Sequence, residues 1–204
     1  MSKTTQTQSE CKGTAKHSSV PRLADFRVLV VPGLHGSGPE HWQSRWQRLY
    51  PSFERVEQDR WDTPDLPVWS QRLQDVLQRD VRPTLIVAHS FGCLTTVHRA
   101  AADAGLIAGA LLVAPADPVK FGVVDSVQVA LPFPSVVVGS GDDPWMTAAR
   151  AEYWAGVWGS EFVYAGEVGH INSESGLGDW VEGQEVLGRL VARIASPVSA
   201  SISG

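Results

Sequence analysis

From Phe26 onward, short apolar runs alternate with longer amphipathic segments. Phe26-Arg27-Val28-Leu29-Val30-Val31 is stopped by Pro32-Gly33 and predicts a buried strand. A helix is predicted over 39–49, with Pro39 and Glu40 suited to its first turn. A second strand is predicted over 53–58, and Asp65 is placed to cap a helix over 67–80. Thr84 to Ala88 forms the next apolar run, and a helix opens at Ser90 and ends near Gly105. Ile107 to Ala114 predicts another strand, which runs into the loop Pro115-Ala116-Asp117-Pro118. Two further strands, 135–138 and 161–164, enclose a helix over 146–157, and a last helix spans 179–195. Strands that alternate with helices need crossover connections. The expected architecture is therefore α/β, a three-layer α/β/α sandwich on a mostly parallel sheet of about six strands.

In such a sheet, ligands sit outside the carboxyl ends of the strands. Four segments that begin at predicted strand ends carry reactive residue types: 32–38, 89–92, 139–145 and 166–172. The most informative is Ala88-His89-Ser90-Phe91-Gly92, a serine between strand and helix with small residues two before and two after. This pattern describes a nucleophile elbow, although alanine stands where the first glycine is usual. A serine hydroxyl becomes a good nucleophile only when an imidazole takes its proton and a carboxylate orients that imidazole.

Candidates for both follow in the order acid, then histidine. Asp143 lies in Gly141-Asp142-Asp143-Pro144-Trp145, and His170 in Val168-Gly169-His170-Ile171-Asn172. Asp143 is favoured over Asp142 because Pro144 biases the residue before it toward extended backbone. An oxyanion would be held by the Phe91 N–H and one from the 33–38 loop, with Leu34 the first choice and His35 the second. His35, Trp42 and Trp145 are expected to contact substrate, with Trp180 a further candidate. Trp46, Trp69, Trp154 and Trp158 sit at helix positions and are expected in core or surface packing. His89 should pack near the site without acting as base, and His41 and His98 should be structural or solvated.

Composition narrows the partners. The 204 residues carry a net charge of −5 with a pI near 5.6, which argues against general nucleic-acid or anionic-membrane binding. No apolar run approaches the ~20 residues that span a bilayer. Cys11 and Cys93 offer no disulfide framework, so a cytoplasmic location is the default. Residues 1–24 are polar and lack the apolar stretch of a signal peptide; a weak transit peptide is the alternative. They are expected to be a disordered tail before a domain at 25–196, with a flexible end at 197–204. No metal-ligand spacing is present, and Gly33, Gly36 and Gly38 form G-x-x-G-x-G rather than the dinucleotide pattern G-x-G-x-x-G, so no cofactor is expected. A monomer acting on a small acyl substrate is the default reading.

At four ordered blocks the chain resembles the small serine hydrolase family that includes retinoblastoma-binding protein nine and YdeN-like bacterial proteins. The blocks are Val31-Pro32-Gly33 with Gly36-Ser37 and His41-Trp42, then His89-Ser90-Phe91-Gly92, Asp142-Asp143-Pro144-Trp145, and Gly169-His170-Ile171-Asn172 with Gly176. The resemblance covers about 26–195 and implies an α/β-hydrolase fold with Ser90, Asp143 and His170 as catalytic triad. It names no substrate. Binding to retinoblastoma protein is not implied, since no Leu-x-Cys-x-Glu peptide occurs. Only residues 115–134 are available for a cap, and their prolines break helices, so no cap domain is expected. These features imply a carboxylesterase-like enzyme acting on small esters, with thioesters or amides as neighbouring options. The alternative is a non-catalytic binding or scaffolding protein that keeps a vestigial site.

Overall fold

In the computed structural model, which describes residues 21–195, the first strand β1 (Arg27–Val31) is buried at every residue. Its side chains alternate between faces: Leu29 and Val31 join one core, and Val28 and Val30 the other. Strands β3 (Thr84–His89), β4 (Ile107–Val113) and β5 (Ser135–Gly139) are split the same way between the two cores. Such doubly buried apolar runs are what a parallel sheet covered on both faces requires. The short strands β2 (Phe53–Arg55) and β6 (Glu161–Tyr164) close the edges. All pairs are parallel, in the order β2-β1-β3-β4-β5-β6.

Helices α2 (Leu66–Leu77), α3 (Phe91–Ala102) and α5 (Ala148–Trp158) cover one face, packing Trp69, Leu73, Leu94, Val97, Trp154 and Trp158 onto it. Helices α1 (Trp42–Leu49) and α6 (Val181–Ala195) cover the other. There Trp42, Trp46 and Trp180 pack on one another with ring centroids 4.8–5.9 Å apart. The three-layer sandwich matches the sequence expectation in the number of strands and in their succession along the chain. A four-residue helix, α4 (Val124–Val127), is the only helix between β4 and β5.

Element ends differ in ways the local chemistry explains. Helix α1 starts three residues later than expected, because the His41 side chain caps it by accepting from the Gln43 N–H. Asp65 caps α2 as anticipated, through the Val68 N–H. Strand β2 stops at Arg55, short of the expected Gln58. The tails expected at 1–24 and 197–204 lie outside the described residues, except 21–24, which enter β1 through a 3-10 turn at Leu23–Asp25.

Candidate active site

Ser90 sits between β3 and α3 with φ +53° and ψ −121°, a conformation that L-residues rarely adopt. Such strain, about 1–3 kcal/mol, persists only where the surroundings impose it. Two glycines do so by absence of side chain. A Cβ on Gly92 would be driven into the carbonyl oxygens of Val31 and Pro32 at the end of β1. A Cβ on Gly33 would lie 2.7 Å from Ser90 Cβ and 3.2 Å from the Phe91 nitrogen. The position two before Ser90 is different: Ala88 lies wholly buried in the core on the α2–α3 side, which accepts its methyl.

The strand ends bring together Ser90, His170 and Asp143. His170 Nε2 lies 3.0 Å from Ser90 Oγ, while its Nδ1 lies 2.9 and 3.1 Å from the two carboxylate oxygens of Asp143. A carboxylate only accepts, so Nδ1 carries the proton and Nε2 is free to accept from the serine. Asp143 is buried, and its carboxylate also accepts from the Trp145 N–H, a turn that folds around Pro144. Asp142 points elsewhere. It accepts from the Gly169 N–H at 2.7 Å and from Ser140 Oγ, tying the acid loop to the histidine turn. Those two hydrogen bonds hold its carboxyl below the usual carboxylate range.

Beside Ser90 the first loop approaches closely. The His35 N–H is already committed to Trp61 O, whereas neither the Leu34 nor the Phe91 N–H takes part in a backbone hydrogen bond among the described residues. A cavity of about 410 Å³ opens over this row. Leu34, His35 and Trp145 line it, as do Ala116 and Phe121 on one wall and Asn172 on another. Trp145 is 58% exposed, and Lys120 donates to its carbonyl while resting against its ring.

Trp42 departs from its expected place. Its ring is 1% exposed and faces the α1–α6 core, where Nε1–H donates to Ile171 O. Trp180 is buried beside it. His89 packs against the His170 ring, with centroids 4.9 Å apart. His41, expected to be structural or solvated, is buried, caps α1 and lines the cavity. Burial, with the Arg55 guanidinium and then the His170 imidazole nearby, lowers its pKa to about 3, so it stays neutral.

Asp117 and Lys120 were not anticipated at the site. Asp117 forms a bidentate ion pair with Arg150, which anchors the β4 loop to the start of α5. Burial works against its charge, but the Arg150 and Val119 hydrogen bonds outweigh it and hold the carboxyl below its ordinary value. The Pro115–Pro118 loop marked this region in sequence, but nothing there marked Lys120.

A doubly wound parallel sheet with a serine–histidine–aspartate row at its strand ends defines an α/β-hydrolase. The chain belongs to the serine hydrolase family, whose model matches residues 28–189. It is 39% identical to a YdeN-like hydrolase from Pectobacterium atrosepticum, over 85% of this chain and 94% of that one, with a TM-score of 0.81. The ydeN gene product from B. subtilis is 19% identical over 81% and 98% of the two chains, with a TM-score of 0.66. The esterase RhEst1 from Rhodococcus sp. ECU1013 shares the fold at 13% identity and a TM-score of 0.60, over 82% and 90%. No curated protein matches the chain.

Proposed function

We propose that this serine hydrolase cleaves small carboxylic esters through an acyl-enzyme on Ser90. The observation that carries the reading is the continuous hydrogen-bonded row Asp143–His170–Ser90 at the ends of three different strands. His170 Nε2 removes the Ser90 proton as Oγ attacks the ester carbonyl. The oxyanion is held by the N–H groups of Phe91 and Leu34, and Asp143 stabilises the imidazolium. Collapse expels the alcohol, which takes its proton from His170. A water molecule, deprotonated in turn by His170, attacks the acyl-enzyme, and the acid product leaves with Ser90 restored.

The cavity favours a small or aromatic acyl group. Its apolar wall is formed by Leu34, Ala116, Phe121 and the exposed ring of Trp145, and a volume of about 410 Å³ suits a short acyl chain. Labelling with a fluorophosphonate probe tests the reading. The expected result is an adduct at Ser90 that is absent in Ser90→Ala and slow to form in His170→Ala. A folded wild type that does not label would instead favour a binding protein with a vestigial site.

A further inference from the structure

The turn that carries His170 is held in an unfavourable backbone conformation. Its neighbours Gly169 and Ile171 have φ of +59° and +48°. For a β-branched residue such as Ile171 this left-handed region is sterically poor, and it persists only where the surroundings impose it.

Two side-chain donors grip consecutive carbonyls of this turn. His89 Nε2 lies 2.9 Å from His170 O, and Trp42 Nε1 lies 2.8 Å from Ile171 O. A carbonyl only accepts, so the His89 proton resides on Nε2. Burial, and then the proximity of His41 and His170, keeps this imidazole neutral. His41 backs His89 edge-on at 4.7 Å, and its own Nδ1 accepts from the Gln43 N–H. The Gln43 side-chain amide in turn donates to Val31 O, at the end of β1, and to Val87 O, within β3. A buried polar stack therefore runs from strands β1 and β3 to the backbone of the base.

We propose that His89 is a positioning residue: its N–H grips the His170 carbonyl and holds the strained turn so that the imidazole stays between Ser90 and Asp143. Trp42 secures the next carbonyl in the same way. The residue before the nucleophile thereby sets the base in register with the nucleophile's own strand. This role rests on the reading of His170 as the base.

The test compares His89→Phe, which keeps a ring but removes the donor, with His89→Gln, whose amide nitrogen can reach the same carbonyl. His89→Met serves as a second donor-less variant should the phenylalanine not fold. Fluorophosphonate labelling of Ser90 and kcat should fall about 10²-fold in the donor-less variants, the cost of misplacing a catalytic group by ~1 Å. KM should hardly change. Glutamine should restore most of the rate, and the low-field proton resonance of His170 Nδ1–H should broaden in the donor-less variants and return with glutamine. Wild-type labelling by His89→Phe or His89→Met overturns the proposal, as does an equal loss in the glutamine and donor-less variants. An unlabelled wild type overturns the hydrolase reading itself, and this role with it.

Discussion

Replacing Gly33 by alanine probes how closely the first loop must approach the nucleophile. Gly33 has no positive φ, so the backbone accepts alanine, and the unfolded chain loses freedom by about 0.4–1 kcal/mol in favour of folding. The obstacle is contact. The new Cβ would sit 2.7 Å from Ser90 Cβ, 3.1 Å from His89 O and 3.2 Å from the Phe91 nitrogen. Carbon atoms pack at roughly 3.5–4.0 Å, so the gap is short by about 1 Å. The elbow cannot yield, because Ser90 is already strained and Gly92 lies tight against Val31 and Pro32. The 33–36 loop must therefore withdraw, carrying the Leu34 N–H away from the oxyanion. Loss of one such donor costs about 2.7–4 kcal/mol of transition-state stabilisation, or 10²–10³ in kcat. Steady-state hydrolysis of p-nitrophenyl acetate, beside thermal unfolding of the same samples, measures this. Little change in KM or melting temperature should accompany the fall. A Gly33→Ala enzyme that turns over at the wild-type rate would refute the placement of Leu34 at the oxyanion.

The two adjacent aspartates should separate cleanly. Asp143→Asn, which favours the wrong tautomer of His170, is expected to lower kcat by ~10⁴, whereas Asp142→Asn keeps an oxygen for the Gly169 N–H and should lose far less; equal losses in a kcat comparison would contradict this division. Acid should destabilise the fold through His41. Its folded pKa of about 3 lies below the unfolded 6.5, so between those values only the unfolded chain takes the proton. Stability from this group is complete above pH 6.5 and falls by about 1.4 kcal/mol per pH unit as pH drops toward 3. Urea unfolding across this window should show a flatter acid limb in His41→Asn, which retains a capping oxygen; parallel limbs would count against it. Gly156→Ala and Gly188→Ala, on open faces of α5 and α6, should each raise stability by about 1 kcal/mol without altering turnover, as unfolding and hydrolysis assays can check.

The alternation of apolar runs made the sheet legible, because doubly buried strands leave little freedom of assignment. Ser90, Asp143 and His170 were readable for a related reason: each begins a loop at a strand end, and the sheet brings those ends together. Trp42 was misplaced because sequence proximity to the first loop says nothing about which face of α1 a ring occupies. His41 has the structural one of its two expected roles, as the cap of α1, but a capping histidine at a helix start has no pattern that separates it from a solvated one or places it at the cavity. Lys120 and the Asp117–Arg150 pair depend on how the β4 loop folds back over the acid loop, a long-range contact that no local spacing encodes.

Strand β6 is four residues long, pairs on one side only with β5, and has exposed residues at both ends. The turn bearing His170 follows it, whereas Ser90 directly follows a fully buried strand at the sheet centre. Segments with fewer buried contacts open at lower free energy than the core. On heating, β6 should thus loosen first, leaving the His170 turn to the grip of His89 and Trp42 alone, and His170 should lose its register with Ser90 before the tryptophan cores melt. Activity would vanish below the melting temperature, and a thermal-shift assay would overstate the range in which the enzyme works.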